Sequence, residues 1–587
     1  MASPSETPVL AEGDNFTHVG NDTLVAPAPI LKVIQKLGFL SLELKIVISA
    51  MAIIYIGAHG ALRRPPSASP AKSGKKKKED QFAEGFTPSD AILLPVLAGF
   101  VLIGLYYIIK WIQDPSILNK ILQTYMSVVG VISLSKLLGD TLEFVTSMFF
   151  PSMWRDSQGQ IFHIDGRRRC QELLIRPQDE TSERRTDTKK TTPLAGFLSE
   201  RSFSARTQHS LWKARHLLTE KWIVRVAVHG IGKESFPIKL VHVIGILLAM
   251  STTFTYSLTG ATLLSNLMGA GFCYGTSMIM SCTSFATGSL VLLGLFVYDI
   301  VMVFYTPYMI TVAKTIDAPI KLVFEGPSGA SLLGLGDIVI PGIFICLALR
   351  FDLWQYYQKK AKYVPTSLET VSQDPSSEQT VTTTETQYRT VKPTFVDPQG
   401  RWGDRLWTST WLGIFFGKPA TPTLAAAAFP KPYFYASMFG YFLGMLTTLA
   451  MLIIFRHGQP ALLYLVPGVV GSTWLTGLVR GELKAMWTYT EDGSLDTEDV
   501  VVELDADGRV VKEISSKKEG DDEAKEPKSE KDLQTEPTTS KKEEKAGEQG
   551  QADVKASASN PLEISEKGYD VFLFSISAPG TKDLKED

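Results

Sequence analysis

Two aspartates lie inside long apolar runs of the sequence, where a charged side chain is costly. Asp299 lies in LLGLFVYDIVMVF and Asp337 lies in LLGLGDIVIPG. Ionisable residues within a membrane span are rare and usually functional. Two carboxyl groups at one depth in a medium of low dielectric constant cannot both ionise, so we expect them to share one proton. Such a pair can activate a water molecule as general base and protonate an amide as general acid.

The lengths of the two apolar runs place both carboxyl groups at a similar depth. One predicted span extends from about residue 286 to about 307, and the next from about 328 to about 350 in the opposite direction. At a rise of about 1.5 Å per residue, each aspartate lies roughly 20 Å from the cytoplasmic end of its span and about 12–14 Å from the lumenal end. Neighbouring antiparallel helices would therefore bring the two carboxyl groups together.

Glycine and proline residues accompany these aspartates in the sequence. Gly334 and Gly336 either let a substrate backbone approach Asp337 or simply permit close helix packing. Pro460, followed by Ala461 and Leu462, suits the first turn of a helix. By itself the proline indicates no more than a helix start.

The composition predicts a membrane protein with polar extensions. The net charge is −2, which gives no bias towards nucleic acid, and a mean hydropathy of +0.06 averages apolar runs with charged tails. A helix that crosses the bilayer needs about 20 apolar residues. The predicted spans are 44–62, 89–111, 118–138, 238–256, 262–281, 287–306, 329–349, 432–455 and 460–479. We therefore predict an all-α polytopic membrane protein with about nine transmembrane helices, of which 262–281, rich in small residues, resembles a helix packed inside a bundle.

The distribution of charge predicts the orientation of the chain. Arg63, Arg64 and the basic residues 72–78 follow the first span and indicate a cytoplasmic loop. The N-terminus is then lumenal, in agreement with glycosylation sequons at Asn15 and Asn21. With nine spans the C-terminus is cytoplasmic.

The predicted organisation has six parts. They are a lumenal segment at 1–43 with the sequons, the first five transmembrane helices with cytoplasmic loops at 44–285, helices six and seven with the aspartates at 286–357, a low-complexity cytoplasmic insertion at 358–430, helices eight and nine at 431–489, and a charged tail at 490–587. The insertion and the tail are expected to be flexible or disordered. The four cysteines show no spacing typical of metal ligands, and we expect no metal site.

Three motifs in this order resemble the signature of the GxGD intramembrane aspartyl proteases. They are YD at 298–299, GLGD at 334–337 and PAL at 460–462. The stretches TVAKTIDAPIKLVF and QPALLYLVP, and a lumenal N-terminus, are more similar to signal peptide peptidase than to presenilin. The resemblance implies a presenilin-like fold with Asp299 and Asp337 as catalytic residues. It also implies that Tyr298 positions Asp299 and that the PAL residues shape the site and hold substrate.

The resemblance further implies the substrates and the membrane. These are transmembrane helices of type II orientation, signal peptides included, cleaved within the bilayer of the endoplasmic reticulum without a cofactor. A helical substrate must unwind before attack, so helix-weakening residues near the cleaved bond should favour cleavage. Two other functions stay open: a proton-coupled transporter, although no internal repeat is visible, and a non-catalytic factor that dislocates membrane proteins. The sequence does not indicate the oligomeric state.

Overall fold

A computed structural model describes most of the chain. The described residues are 29–69, 84–112, 115–157, 159–166, 168–174, 190–228, 232–316, 320–326, 329–373, 380–409, 421–455, 459–495, 500–504, 510–515 and 572–577. The sequons at Asn15 and Asn21 lie outside these ranges, as does most of the charged tail. The chain forms two compact units. The helical unit comprises Met1–Lys221, Ile238–Lys362 and Val391–Thr497, and the strand unit comprises Trp222–Pro237, Tyr363–Thr390 and Glu498–Asp587.

Helices make up most of the described chain. In order they are α1 (Pro29–Gly60), α2 (Asp90–Ile112), α3 (Pro115–Phe149), α4 (Ala205–Thr219), α5 (Leu240–Thr259), α6 (Thr262–Ile279), α7 (Phe285–Phe304), α8 (Tyr308–Thr315), α9 (Gly336–Gln358), α10 (Trp402–Thr408), α11 (Pro422–Ala427), α12 (Pro432–Phe455), α13 (Leu462–Arg480) and α14 (Leu483–Thr488).

The strands are short or belong to hairpins. In order they are β1 (Glu84–Phe86), β2 (Met153–Arg155), β3 (Ile161–Asp165), β4 (Cys170–Leu173), β5 (Lys221–Val228), β6 (Gly232–Lys239), β7 (Met280–Cys282), β8 (Lys321–Gly326), β9 (Gly329–Gly334), β10 (Lys362–Gln373), β11 (Thr380–Val391), β12 (Val500–Leu504), β13 (Val510–Ser515) and β14 (Phe572–Ser577).

Long helices lie at all the predicted spans, and the polytopic helical fold is confirmed. Among the described residues, seven helical segments are long and apolar enough to cross a membrane. They are Leu40–Gly60, Asp90–Ile112, Ser116–Phe149, Leu240–Thr259, Phe285–Phe304, Thr423–Phe455 and Leu462–Arg480. The helices α6 and α9 fall outside this set, so the count of nine spans stays a prediction.

The helices α6 and α9 lie largely inside the helical unit. In α9 an unbroken buried run extends over residues 341–353 and includes Arg350 and Asp352. In α6 small residues allow close contact, since a methyl group added at Gly271 would lie 2.9 Å from the Cα atom of Leu134 on α3. Helices that other helices surround need no continuous lipid-facing surface.

The prediction of a helical span over 329–349 is wrong for its first residues. Gly329–Gly334 forms strand β9, which pairs antiparallel with β8 in the register Lys321 with Gly334 and Gly326 with Gly329. A short apolar run fits a strand as well as a helix, and the pairing with β8 decides between them here. Consequently Asp337 lies in the first turn of α9 and does not follow several helical turns.

The helices α12 and α13 cross at very short distance. A side chain at Gly440 of α12 would collide with the carbonyl oxygen of Gly468 on α13, and one at Gly444 would meet the carbonyl oxygen of Tyr464 at 2.9 Å. Glycine at these positions lets the two backbones touch. The pair then packs against α9, and α13 also packs against α7.

The long loop between α3 and α5 folds into a small sheet. The strands β2, β3 and β4 pair antiparallel in that order, and a cluster of Trp154, Phe162 and Trp212 covers the sheet. Asp404 of α10 accepts hydrogen bonds from the main-chain N–H groups of Ser152 and Met153 at 2.6 and 3.1 Å. Part of the predicted low-complexity insertion therefore belongs to a folded region.

Regular structure also appears in the segments expected to be flexible or disordered. In the insertion, β10 and β11 are neighbours in a sheet of order β10-β11-β12-β13, to which the tail contributes β12 and β13. A second sheet has the order β14-β5-β6, with Phe572 opposite Val228 and Ser577 opposite Ile223. The many Thr residues of β11 and the Val residues of β12 favour strands. The remainder of the tail lies outside the described residues.

Candidate active site

Asp299 lies on the inner face of α7, close to the end of that helix. Ser284 precedes the helix and its hydroxyl accepts the N–H of Thr287 at 3.1 Å, which caps the first turn. Leu293 and Val297 are exposed on the outer face, whereas the side chain of Asp299 is only 5% exposed. The helix thus turns its apolar side outwards and its carboxyl group into the bundle.

The start of α13 provides a hydrogen-bond donor to this carboxyl group. The main-chain N–H of Leu462 donates to Oδ2 of Asp299 at 3.1 Å. N–H groups in the first turn of a helix have no partner within the helix, so they are free to bind an anion. Pro460 and Ala461 form the turn, and their carbonyl oxygens accept the N–H groups of Leu463 and Tyr464. The PAL residues therefore direct a backbone donor at Asp299.

Asp337 lies where a hairpin becomes a helix. β9 ends at Gly334, and α9 begins at Gly336. Between them, the N–H of Leu335 donates to the carbonyl oxygen of Ile320 at 3.0 Å. Asp337 is in the first turn and is half-buried. The hairpin therefore fixes the chain immediately before the carboxyl group.

An amide side chain from α6 holds this hairpin. Asn266 donates from Nδ2 to the carbonyl oxygen of Val323 at 2.6 Å, and its Oδ1 accepts the N–H of Val323 at 2.8 Å. Both main-chain groups of one β8 residue are thereby satisfied by one side chain. No feature of the sequence indicates this contact.

The carboxyl groups of Asp299 and Asp337 are close enough to interact electrostatically. Their helices pack against each other, with the ring of Phe285 on α7 edge-on to that of Phe344 on α9 at 5.7 Å between centroids. Within the described part of the chain, neither aspartate forms a salt bridge. Two neighbouring carboxyl groups without a cation cannot both be charged at low cost.

The two glycines before Asp337 leave open space beside its carboxyl group. Gly334 and Gly336 are both exposed. A methyl group at Gly334 would touch Oδ2 of Asp337 at 3.5 Å, and one at Gly336 would meet only the end of Ile340, at 4.0 Å. Among the residues that the structure describes, no other helix packs closely on either position, so close helix packing, the alternative explanation, has no support there.

Tyr298 packs on α2 beside Gly99, where a methyl group would lie 3.8 Å from its ring. Among the described residues no hydrogen bond joins Tyr298 to Asp299. The predicted positioning role of Tyr298 is therefore supported only by its packing on α2 and its place next to Asp299 in the sequence.

A contact that no motif indicates involves Tyr441. Its hydroxyl on α12 donates to the main-chain carbonyl oxygen of Asp337 at 3.3 Å. The only sequence signal that could have suggested it is a proline four residues after Asp337.

A second polar cluster lies apart from the aspartates. On α3, Asp140 pairs with Lys136 at 2.8 Å and Glu143 pairs with Lys239. His242 of α5 approaches Asp140 at 3.2 Å. Candidate metal-ligand atoms of Asp140, Glu143 and His242 lie within 4.8 Å of one another, but lysine ammonium groups already balance both carboxylates. The cluster joins α3 to α5 as an ion-paired network.

Comparison with known proteins agrees with these motifs. The family model of signal peptide peptidase matches residues 76–493. The chain is 27% identical to the signal peptide peptidase of Mus musculus over 77% of its own length and 83% of that protein, and 26% identical to that of Homo sapiens over 77% and 84%. It is 32% identical to intramembrane protease 2 of Caenorhabditis elegans over 44% of each chain. No solved structure matches the chain.

The chain belongs to the signal peptide peptidase family, because the family match covers most of its length and includes all three motifs. It is accordingly an intramembrane aspartyl protease, a multi-pass membrane protein that acts on transmembrane substrates within the bilayer.

Proposed function

We propose that Asp299 and Asp337 are the catalytic dyad of this protease. The observation that carries the proposal is the pairing of two uncompensated carboxyl groups on adjacent helices, with the Leu462 N–H bound to one of them. The exposed glycines beside Asp337 support it, since an unwound substrate needs room there. A water molecule between two such carboxyl groups is sufficient for peptide hydrolysis.

The hydrogen bond from Leu462 favours the charged form of Asp299, so Asp299 is the base and Asp337 the protonated acid. Asp299 takes a proton from water as the water oxygen attacks the carbonyl carbon, and Asp337 protonates the carbonyl oxygen. In the second step Asp337 takes a proton from one hydroxyl group of the tetrahedral intermediate. The C–N bond breaks, Asp299 donates its proton to the leaving nitrogen, and the dyad returns to its initial state.

We further propose that the substrates are type II transmembrane segments, signal peptides included, in the endoplasmic reticulum. The names of the mouse and human relatives support signal peptides as substrates, and the predicted lumenal N-terminus supports the type II orientation. Glycans on Asn15 and Asn21 would agree with that orientation. Glycosidase treatment should increase the gel mobility of the wild type but not of an Asn15→Gln/Asn21→Gln variant. An N-terminal tag reached by protease from the cytosolic side of sealed microsomes would contradict the orientation.

The dyad is tested by cleavage of a model signal peptide by purified protein in detergent. We expect Asp299→Asn and Asp337→Asn each to abolish cleavage while their melting temperatures stay close to that of the wild type. The matched control is Asp352→Asn, a buried aspartate on α9 that accepts the N–H of Phe434 at 2.9 Å. It should lower stability but preserve cleavage per folded molecule. Normal cleavage by either dyad variant would refute the proposal.

A further inference from the structure

A proline interrupts the hydrogen bonds of α9 just after the candidate catalytic residue. Pro341 lies inside the helix, four residues beyond Asp337. In a regular helix the N–H of residue 341 would donate to the carbonyl oxygen of residue 337. Proline has no N–H, and its ring also crowds that carbonyl group. The main-chain carbonyl of Asp337 therefore loses its regular donor.

The hydroxyl of Tyr441 is in the place where a replacement donor is needed. Tyr441 is 0% exposed, and its hydroxyl lies 3.3 Å from the carbonyl oxygen of Asp337. A buried tyrosine hydroxyl requires a partner, and the carbonyl group of Asp337 has lost its donor within the helix. Each of these two groups therefore satisfies the other, across the contact between α12 and α9.

The helix that carries Tyr441 is itself held against the helix that binds Asp299. The preceding residue, Gly440, touches the backbone of Gly468 on α13, and α13 begins with Leu462, the donor to Asp299. A single helix pair thus contacts both aspartates. It reaches Asp299 through the carboxyl group and Asp337 through the main chain.

We infer that Tyr441 is a positioning residue for Asp337. Its hydroxyl provides the hydrogen bond that Pro341 cannot provide, and it fixes the first turn of α9 so that the Asp337 carboxyl group faces Asp299. The inference rests on the proposed role of the dyad. It assigns to Tyr441 no contact with substrate.

The test exploits the fact that the missing donor can be restored. Tyr441→Phe removes only the hydroxyl, and we expect it to lower kcat about tenfold with little change in KM, the effect of one lost hydrogen bond to a buried group. Pro341→Ala returns a main-chain N–H to α9. In the Pro341→Ala background, Tyr441→Phe should therefore lower kcat by no more than about twofold, because the helix now satisfies the carbonyl group itself.

A matched control comes from the same helix. Tyr433 is also 0% exposed, and its hydroxyl donates to Oε2 of Glu482 at 2.8 Å, away from the aspartates. Tyr433→Phe should lower the melting temperature in detergent and leave kcat of the folded protein unchanged. Both results should be the same with and without Pro341→Ala. This control separates positioning from a general loss of stability.

The outcomes distinguish this inference from the proposed function. An equal loss of kcat for Tyr441→Phe with and without Pro341→Ala, or no loss in either background, would overturn the role of Tyr441. If Asp337→Asn stays inactive in that case, only the positioning inference fails. Cleavage by Asp337→Asn would instead overturn the dyad itself, whatever the result at Tyr441.

Discussion

The two helices that carry the aspartates are adjacent but differ in construction. α7 exposes large apolar residues such as Leu290, Leu293 and Val297 on one side, as a helix in contact with lipid does. α9 is buried along most of its length, and even Arg350 and Asp352 are only 3% and 2% exposed. One side of α7 is therefore exposed, whereas most of α9 is enclosed by other helices.

The exposure of the two carboxyl groups is the reverse of the exposure of their helices. Asp299, on the helix with an outer face, is enclosed and bound by a backbone N–H. Asp337, on the enclosed helix, is half-buried and lies beside exposed glycines. We therefore expect Asp299 to be the fixed partner and Asp337 to be the carboxyl group that substrate reaches first.

The largest expected effect concerns the far end of α9, where buried charges replace lipid contacts. Nε of Arg350 donates to Oε1 of Glu491 at 2.8 Å, and Arg63 pairs with the same carboxylate. Burial opposes the ionisation of Glu491, but the two arginines outweigh it and lower its pKa to about 2. Glu491→Gln leaves Arg350 buried without its counter-ion and should reduce the free energy of unfolding by about 3–5 kcal/mol. Thermal unfolding in detergent measures this change.

The control for Glu491 is an exposed pair. Arg168 and Glu172 form a salt bridge with side chains 72% and 40% exposed, so Glu172→Gln should cost less than about 1 kcal/mol. Because the pKa of Glu491 is lowered, its contribution is complete above its ordinary pKa of 4.5 and is lost as the pH falls towards 2. Equal destabilisation by the two substitutions would contradict the burial argument.

A smaller effect is expected from closing the space beside Asp337. Gly334→Val places methyl groups against Oδ2 of Asp337, and we expect kcat/KM to fall about 100-fold through misplaced substrate. The melting temperature should hardly change, because position 334 is exposed. The same substitution at Gly471 of α13 is the control, because a methyl group there would have no atom of the described residues within 4 Å, and it should leave cleavage intact. Similar activities for the two variants would show that access to Asp337 is not limiting.

The smallest effect on cleavage is expected from the strand unit. A chain that ends at residue 571 lacks β14, which pairs with β5, and the family match already ends at residue 493. We expect cleavage per molecule to stay within about twofold of that of the full chain. The open edge of β5 should instead promote association, visible by size-exclusion chromatography. A large loss of cleavage would show that the helices with the aspartates depend on this strand.

Much of the helical unit could be predicted because lipid-facing helices are recognisable from local composition. The runs at 89–111 and 432–455 agree closely with α2 and α12. The start of α9 could not be predicted, since the strand character of Gly329–Gly334 arises from pairing with β8. In the insertion, a composition rich in Thr, Ser and Gln predicts flexibility, although Thr is also a β-branched residue that favours strands.

In the candidate site, too, local patterns could be predicted from the sequence and long-range contacts could not. The motifs at 298–299, 334–337 and 460–462 are local patterns, so the sequence by itself indicates the two aspartates and the PAL turn. It does not indicate Asn266 or Tyr441, which lie far away in the sequence and reach the site only through the packing of α6 and α12. Residues that act through such contacts have no local pattern.

The most direct test of the dyad is a double-mutant cycle on cleavage of a signal peptide. Asp299→Asn, Asp337→Asn and the double variant are compared by kcat under identical detergent conditions. Groups that act as one unit give non-additive losses, so we expect each single variant to lose at least about 1,000-fold and the double variant hardly more. Losses that multiply, or one single variant that retains substantial activity, would contradict a shared catalytic role for Asp299 and Asp337.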